Sequence, residues 1–131
     1  MQSIPERPVT VVTGSSRGIG RAIALALAAE GHRLVLAARD AERLALVARE
    51  VRERSAEVAT VAVDLRQERA AADVVAVAER AFGPIDIAIS NAGTAPAEKL
   101  ENTSAAMLRE TFDLHVAAPL ALARAVVPEM K

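Results

Sequence analysis

Seven consecutive residues, Gly14-Ser15-Ser16-Arg17-Gly18-Ile19-Gly20, could do chemistry with their backbone alone. Glycine supplies dihedrals that other residues resist in a tight turn, and its missing side chain lets a pyrophosphate approach the main chain. A helix that starts there adds unpaired N–H groups and the positive end of its dipole. Other candidates follow downstream. Arg39 carries a guanidinium suited to bidentate, charge-assisted binding of a phosphoryl group, and Arg17 could add a second cation. Asp64, followed by Leu65, could accept a ligand's hydrogen bonds or merely bond its own turn. Asn91-Ala92-Gly93 could line a cleft or simply form a loop, since Asn and Gly are common turn residues. His115 offers an imidazole that can hydrogen-bond a water, although a histidine in a helix is more often structural.

These residues need elements to position them, and the hydrophobic pattern supplies a regular series. Residues 9–13 (VTVVT) form a β-branched run suited to a strand buried on both faces. Ile19, Ile23, Ala26 and Leu27 then recur at helical spacing, with Gly31 as a stop signal. Residues 34–38 predict a second strand, and Asp40 can cap a helix with the stripe Leu44, Val47, Ala48 and Val51. Residues 58–63 predict a third strand ending at Asp64. Residues 68–82 predict a helix despite the β-branched Val74, Val75 and Val77. After the Gly83-Pro84 turn, residues 85–90 predict a fourth strand, ending at a Ser90 that reads as structural. A loop runs from Asn91 to Asn102, and residues 103–131 predict helix in two pieces, with Pro119 at a kink or restart. Alternation of this kind argues for right-handed crossovers and a parallel sheet covered on both faces.

The 131 residues suggest one domain, 1–131, and a composition of 52% hydrophobic and 25% charged residues fits a globular class. A net charge of -1 gives no basic field for nucleic acid, and no apolar run approaches a membrane span. Residues 1–8 show no signal-peptide pattern, and cysteine is absent, which removes disulfides and thiolate metal sites. No metal site is expected, and a cytoplasmic protein is the default. Tyrosine and tryptophan are also absent, so no phenol within these residues can act as a proton donor.

The glycine spacing is Gly-x-x-x-Gly-x-Gly, which departs from the commoner Gly-x-Gly-x-x-Gly dinucleotide turn. Residues 13–20, TGSSRGIG, resemble the cofactor motif of the short-chain dehydrogenase/reductase family. Asn91-Ala92-Gly93 is similar to that family's second motif, and Asp64-Leu65 matches its adenine-contacting acidic position. The resemblance covers essentially the whole chain, in the right order. It implies a Rossmann-like doubly wound α/β sheet with strand order beginning 3-2-1-4, and a nicotinamide dinucleotide held by Gly14, Ser16, Arg17, Gly18, Ile19, Gly20, Arg39, Asp64, Leu65, Asn91, Ala92 and Gly93. The acidic residue of NAD-preferring relatives falls at Ala38, and Arg39 follows it, so NADP(H) is expected over NAD(H). Asp40 could instead bind the ribose and favour NAD, but it also stands where the next helix needs a cap.

Relatives of this family use an Asn-Ser-Tyr-Lys tetrad to reduce carbonyls or oxidise alcohols. The resemblance places its Asn at His115, and its Ser and Tyr-x-x-x-Lys beyond residue 131. Lys131 does not fit the tetrad Lys, because Val127 stands four residues before it. The expectation is a C-terminally truncated family member, cut after about four strands and inactive by itself, with the fourth strand an unpaired apolar edge. Phe112, Leu114, Leu120, Leu122 and Val126 are expected to leave apolar surface on the last helix. The family pattern implies self-association there. The alternatives are a non-catalytic nucleotide-binding module and a decayed gene product. The substrate class implied is a small carbonyl or alcohol compound.

Overall fold

The structure is a computed structural model that describes residues 3–130. Met1, Gln2 and Lys131 lie outside the described residues. Strands β1 (Val9–Thr13), β2 (Arg33–Ala38), β3 (Val58–Ala62) and β4 (Ile87–Ile89) form one parallel sheet in the order β3-β2-β1-β4. The β-branched composition explains the central pair. Every residue of β1 is buried, and so are five of the six in β2.

Side chains on a strand alternate between faces, and that alternation sorts the core into two halves. Val9, Val11, Val35 and Ala37 face α3 (Ala70–Ala81) and α5 (Ala118–Val126), where they meet Val74, Ala78, Leu122 and Val126. Val12, Leu34, Leu36 and Ala38 face the other way. They pack on α1 (Gly18–Ala29) and α2 (Ala41–Glu53) through Ala24, Ala28, Leu44, Val47 and Val51. Both faces of the central pair β1 and β2 are therefore dry, whereas the edge strands β3 and β4 are only partly buried.

The expected α2 stripe is the buried one, and Asp40 caps that helix by accepting the Arg43 N–H at 3.0 Å. Gly31 ends α1 at φ +83°, a left-handed conformation that glycine adopts without strain. The α1 stripe differs from expectation. Its buried face is Gly20, Ala24 and Ala28, whereas Ala26 is exposed and Ile19 is 74% exposed. Small residues let this helix lie close to the sheet, and close approach outweighed the size of the isoleucine. Strands β3 and β4 are shorter than expected at their ends. Val63 still donates to Ala38, at 2.8 Å, just beyond β3. The β-branched Val74 sits fully buried within α3, so packing overrides its low helix propensity.

The C-terminal segment is helical in two pieces, as expected, with Pro119 in the first turn of the second piece. A short 3₁₀ turn at Leu100–Asn102 leads to α4 (Ala105–Phe112), capped by Ser104, whose hydroxyl accepts the Met107 N–H at 3.1 Å. A π-helical turn, Asp113–Ala117, joins α4 to α5, and a 3₁₀ turn, Val127–Met130, follows. Pro119 has no N–H for the carbonyl four residues back, and the widened turn lies immediately before it. The expected apolar surface is only partly open: Phe112 and Leu120 are exposed, Leu114 is half-buried, and Leu122 and Val126 are buried.

Leu36 is fully buried in β2. Leu36→Ala is expected to cost about 2–5 kcal/mol, seen as a lower urea midpoint with little change in slope.

Candidate functional site

Strand order reverses between β1 and β4, because the chain goes from β1 outward through β2 to β3 and then returns. Such a reversal opens a crevice at the carboxyl ends of the strands. Here it is a cleft of ≈ 640 Å³, lined by Gly14, Arg17, Gly18, Arg39, Asp64 and Asn91 among others. That volume lies in the usual range for a small-molecule site.

The floor is built at the junction of β1 and β4. Thr13, the last residue of β1, is buried, and its hydroxyl accepts the N–H groups of Asn91 at 3.0 Å and Ala92 at 3.1 Å. In return the Asn91 side-chain amide donates to the carbonyls of Thr13 at 3.3 Å and Gly14 at 3.2 Å. Asn91 therefore holds the glycine turn as well as lining the cleft. Gly14 has φ +65°, and a methyl group on it would lie 2.8 Å from the Ala92 Cα. Gly18 has φ +56°. A methyl group on Gly20 would drive into the Gly14 carbonyl. The glycines thus serve left-handed backbone in two cases and close packing in two. Among the described residues no side chain caps the start of α1, so its first N–H groups are left for a ligand or water. Ser16 and Ile19 line the same wall, while the hydroxyl of the neighbouring Ser15 is buried with no protein partner among the described residues.

Arg17 and Arg39 are both exposed at the rim, and neither joins an ion pair among the described residues. Asp64 and Leu65 sit just beyond β3. The Asp64 carboxylate is heavily bonded: Oδ1 accepts the Arg66 backbone N–H and Nε, both at 3.0 Å, and Oδ2 accepts Arg66 Nη2 at 2.8 Å. The Arg66 side chain holds this carboxyl below the usual carboxylate range against the opposing effect of burial. The Arg66 backbone N–H and the charges of Arg66 and Arg39 assist. Arg66 reaches on to Glu110 of α4, 3.6 Å away.

His115 lies in the π turn and lines the cleft opposite the glycines. Its Nε2 is 2.9 Å from the Thr94 nitrogen and 2.6 Å from the Thr94 oxygen. One nitrogen cannot accept and donate at once, so the neutral Nδ1–H tautomer bonds the amide and an Nε2–H form bonds the carbonyl. The ring also stacks over Gly93, where a methyl group would come within 2.6 Å of His115 Cε1.

Eleven of the twelve binding candidates and His115 line one cleft, whereas Gly20 is buried and does not line it. Sequence reasoning missed Thr13, Thr94, Arg66 and Glu110. For Arg66 the signal was its place two residues after Asp64; nothing local marks Glu110 or Thr94.

A doubly wound parallel sheet with an uncapped helix start and a glycine turn at its reversal point defines a nucleotide-binding class of protein. The family model for short chain dehydrogenases matches residues 8–131. The chain belongs to the short-chain dehydrogenase family. It is 38% identical over 122 residues to an uncharacterized oxidoreductase of Mycobacterium tuberculosis, spanning 93% of this chain and 46% of that protein. L-Sorbose reductase from Gluconobacter frateurii, solved with NADPH and L-sorbose, superposes with a TM-score of 0.91 at 38% identity, over 99% of this chain and 50% of that one. The alcohol dehydrogenase of the archaeon Thermococcus sibiricus, complexed with 5-hydroxy-NADP, gives 0.88 at 32% identity, over 94% and 53% respectively. The chain spans about half the length of the curated relatives it matches.

Two outcomes follow from this geometry. Gly20→Ala is expected to destabilise the fold by about 1–3 kcal/mol through overpacking, read by urea unfolding. Asp64 has a depressed pKa in the fold, so its stabilisation is present above its unfolded pKa and is lost as pH falls through the folded one. Arg66→Ala should therefore lower the urea midpoint at pH 7, with the deficit shrinking well below pH 4, the ordinary range of roughly 3.9. An equal deficit at both pH values refutes the charge account.

Proposed function

We propose that these residues form the cofactor-binding half of an NADP(H)-dependent oxidoreductase acting on a small carbonyl or alcohol compound. One observation carries the reading: two guanidiniums, Arg17 and Arg39, without an ion-pair partner among the described residues, flank an uncapped helix start and a glycine turn in a single cleft. The residues fit a dinucleotide. Gly14 and Gly20 keep the turn tight against Ala92 and the Gly14 carbonyl, Gly18 faces open space, and Gly18 and Ile19, at a helix start that no side chain caps among the described residues, offer backbone donors to a pyrophosphate. Arg39, directly after β2, suits a 2′-phosphate, which needs a planar bidentate donor. Asp40 is occupied as a helix cap by the Arg43 N–H, which supports assigning it no ribose role.

Asp64 and Leu65 take the adenine end, and Asn91, Ala92 and Gly93 line the cleft nearer the reacting end. A bound nicotinamide supplies hydride exchange with the substrate carbon. The chain's own part is to orient that ring and exclude water. His115 stands where the family places the tetrad Asn. With Nε2 engaged by Thr94, its Nδ1 is the nitrogen able to meet a water, so we assign it a positioning role in proton transfer. These 131 residues contain no tyrosine, so they offer no phenol for the proton step, and we take them to bind without turnover by themselves. A binding module without catalysis is the second reading, favoured by that same absence. Self-association through the exposed Leu108, Phe112, Val116 and Leu120 of the C-terminal helix is part of the proposal.

Titration with NADPH and NADH tests the assignment. NADPH should bind tighter by about tenfold or more, and Arg39→Ala should remove most of that preference, since a charge-assisted phosphate contact is worth roughly 1.5–3 kcal/mol. Equal affinity in both proteins refutes NADP(H) selection. No binding of either refutes the site.

A further inference from the structure

His115 meets Thr94 in a way that one protonation form at a time can satisfy. Its Nε2 lies 2.9 Å from the Thr94 amide nitrogen and 2.6 Å from the Thr94 carbonyl oxygen. A donor and an acceptor of one residue therefore compete for a single ring atom. The neutral ring with its proton on Nδ1 accepts the amide, and any form with a proton on Nε2 bonds the carbonyl instead. An imidazolium carries protons on both nitrogens, so it keeps no acceptor for the amide.

The consequence falls on the loop after β4. Gly93 packs against the ring, and Gly93, Thr94, Ala95 and Pro96 line the cleft, as His115 does. The neutral ring engages the Thr94 amide; the charged one leaves it an unpaired donor on the cleft wall. Glu110 of α4 lines the same cleft, and so do Arg17, Arg39, Asp64 and Arg66 across from it. Arg109 of α4, Asp113 of the π turn and Arg124 of α5 lie outside that lining, and residues 93–97 carry no charge. None of these groups forms an ion pair with His115 among the described residues, and Arg66 already engages Asp64 and Glu110. No carboxylate thus commits the ring to its charged form, and its exposure gives protons a path from solvent. Histidine is the side chain that ordinarily changes charge between about pH 5 and 8.

We propose that His115 is a pH-operated latch on the loop after β4: the neutral ring holds the Thr94 amide, and protonation moves the hold to the Thr94 carbonyl and frees that amide into the cleft. A carboxamide side chain grips both groups at once, its oxygen accepting from the amide and its nitrogen donating to the carbonyl. An imidazole has to choose, and the choice makes the loop answer to pH. The effect on ligand binding rests on the dinucleotide reading above; the switch within the loop does not.

The test uses the full chain, whose two histidines, His32 and His115, give separable ring signals by NMR. His32 bonds the Thr10 hydroxyl, at 2.8 Å, at the opposite end of the sheet, and serves as an internal reference. Between about pH 8 and 5.5 the Thr94 amide signal should titrate with the midpoint of the His115 ring and not with that of His32. In His115→Gln it should stay still; His115→Asn serves if that variant does not fold. Affinity for NADP+ is measured by calorimetry over the same range. A ligand that covers the freed amide strips its water, and the imidazolium repels a cationic nicotinamide, so both effects weaken binding at low pH. Affinity should therefore fall about threefold to tenfold more in the unaltered protein than in His115→Gln, the scale of one neutral hydrogen bond. Titration of the ligand's own phosphate is common to both proteins and cancels. A Thr94 amide that ignores pH, or follows His32, overturns the inference, and so does an equal pH dependence of affinity in both proteins. No binding of NADP+ at any pH overturns the dinucleotide reading, while the Thr94 titration still decides the latch.

Discussion

The hydrogen-bonded exchange between Thr13-Gly14 and Asn91-Ala92 is the constraint on which the rest of the molecule hangs. Parallel strands β1 and β4 diverge at their carboxyl ends, because the helices after them pack on opposite faces of the sheet. Left alone, that divergence would expose backbone polar groups with no ladder partner, at a cost comparable to a lost hydrogen bond. Thr13 and Asn91 satisfy those groups reciprocally, one hydroxyl taking two amides and one side-chain amide taking two carbonyls. The same bonds draw Ala92 so near to Gly14 that a β-carbon there has no room. Cleft and glycine turn are consequences of one junction.

Electrostatics then divide the cleft into two ends. At the glycine turn the field is positive, from an uncapped helix start and from Arg17 and Arg39, whose charges meet no carboxylate partner among the described residues. Beyond β3 one cation stands between two carboxylates, with Asp64, Arg66 and Glu110 in a chain. An anion is drawn to the first end, while the second, with two carboxylates to one guanidinium, presents directional hydrogen bonding and no attraction for an anion. A long ligand with phosphates at one place and a neutral ring at another meets both requirements, which no single phosphate does.

The third wall depends on a defect in a helix. Between α4 and α5 the backbone widens into a π turn before Pro119, and the widened turn carries Leu114 and His115 into the cleft. His115 bonds the backbone of Thr94 and covers Gly93, so the loop after β4 is held by a side chain more than twenty positions away. A regular helix would have shifted the register of every residue after the turn, and Pro119 would still have left one ladder bond unmade. The chain gives up regular hydrogen bonding there in exchange for a shaped wall.

Much of this was legible in the residues. Runs such as Val9 to Thr13, the Asp40 cap and the Leu44-Val47-Ala48-Val51 stripe act locally, through period, propensity and capping, so sequence alone settled the alternation of strands and helices. The glycine turn, Asp64 and Asn91 were readable for the same reason: each sits at a strand end, where backbone geometry already limits the choice. Tertiary structure decided what depends on contacts distant in sequence. Burial of Gly20, Ala24 and Ala28 instead of Ile19 follows from how closely α1 meets the sheet. The Arg66–Glu110 reach and the hold of His115 on Thr94 span 44 and 21 positions, distances over which no local pattern carries information. Local chemistry chose the elements, and packing between remote segments chose which side chains face one another.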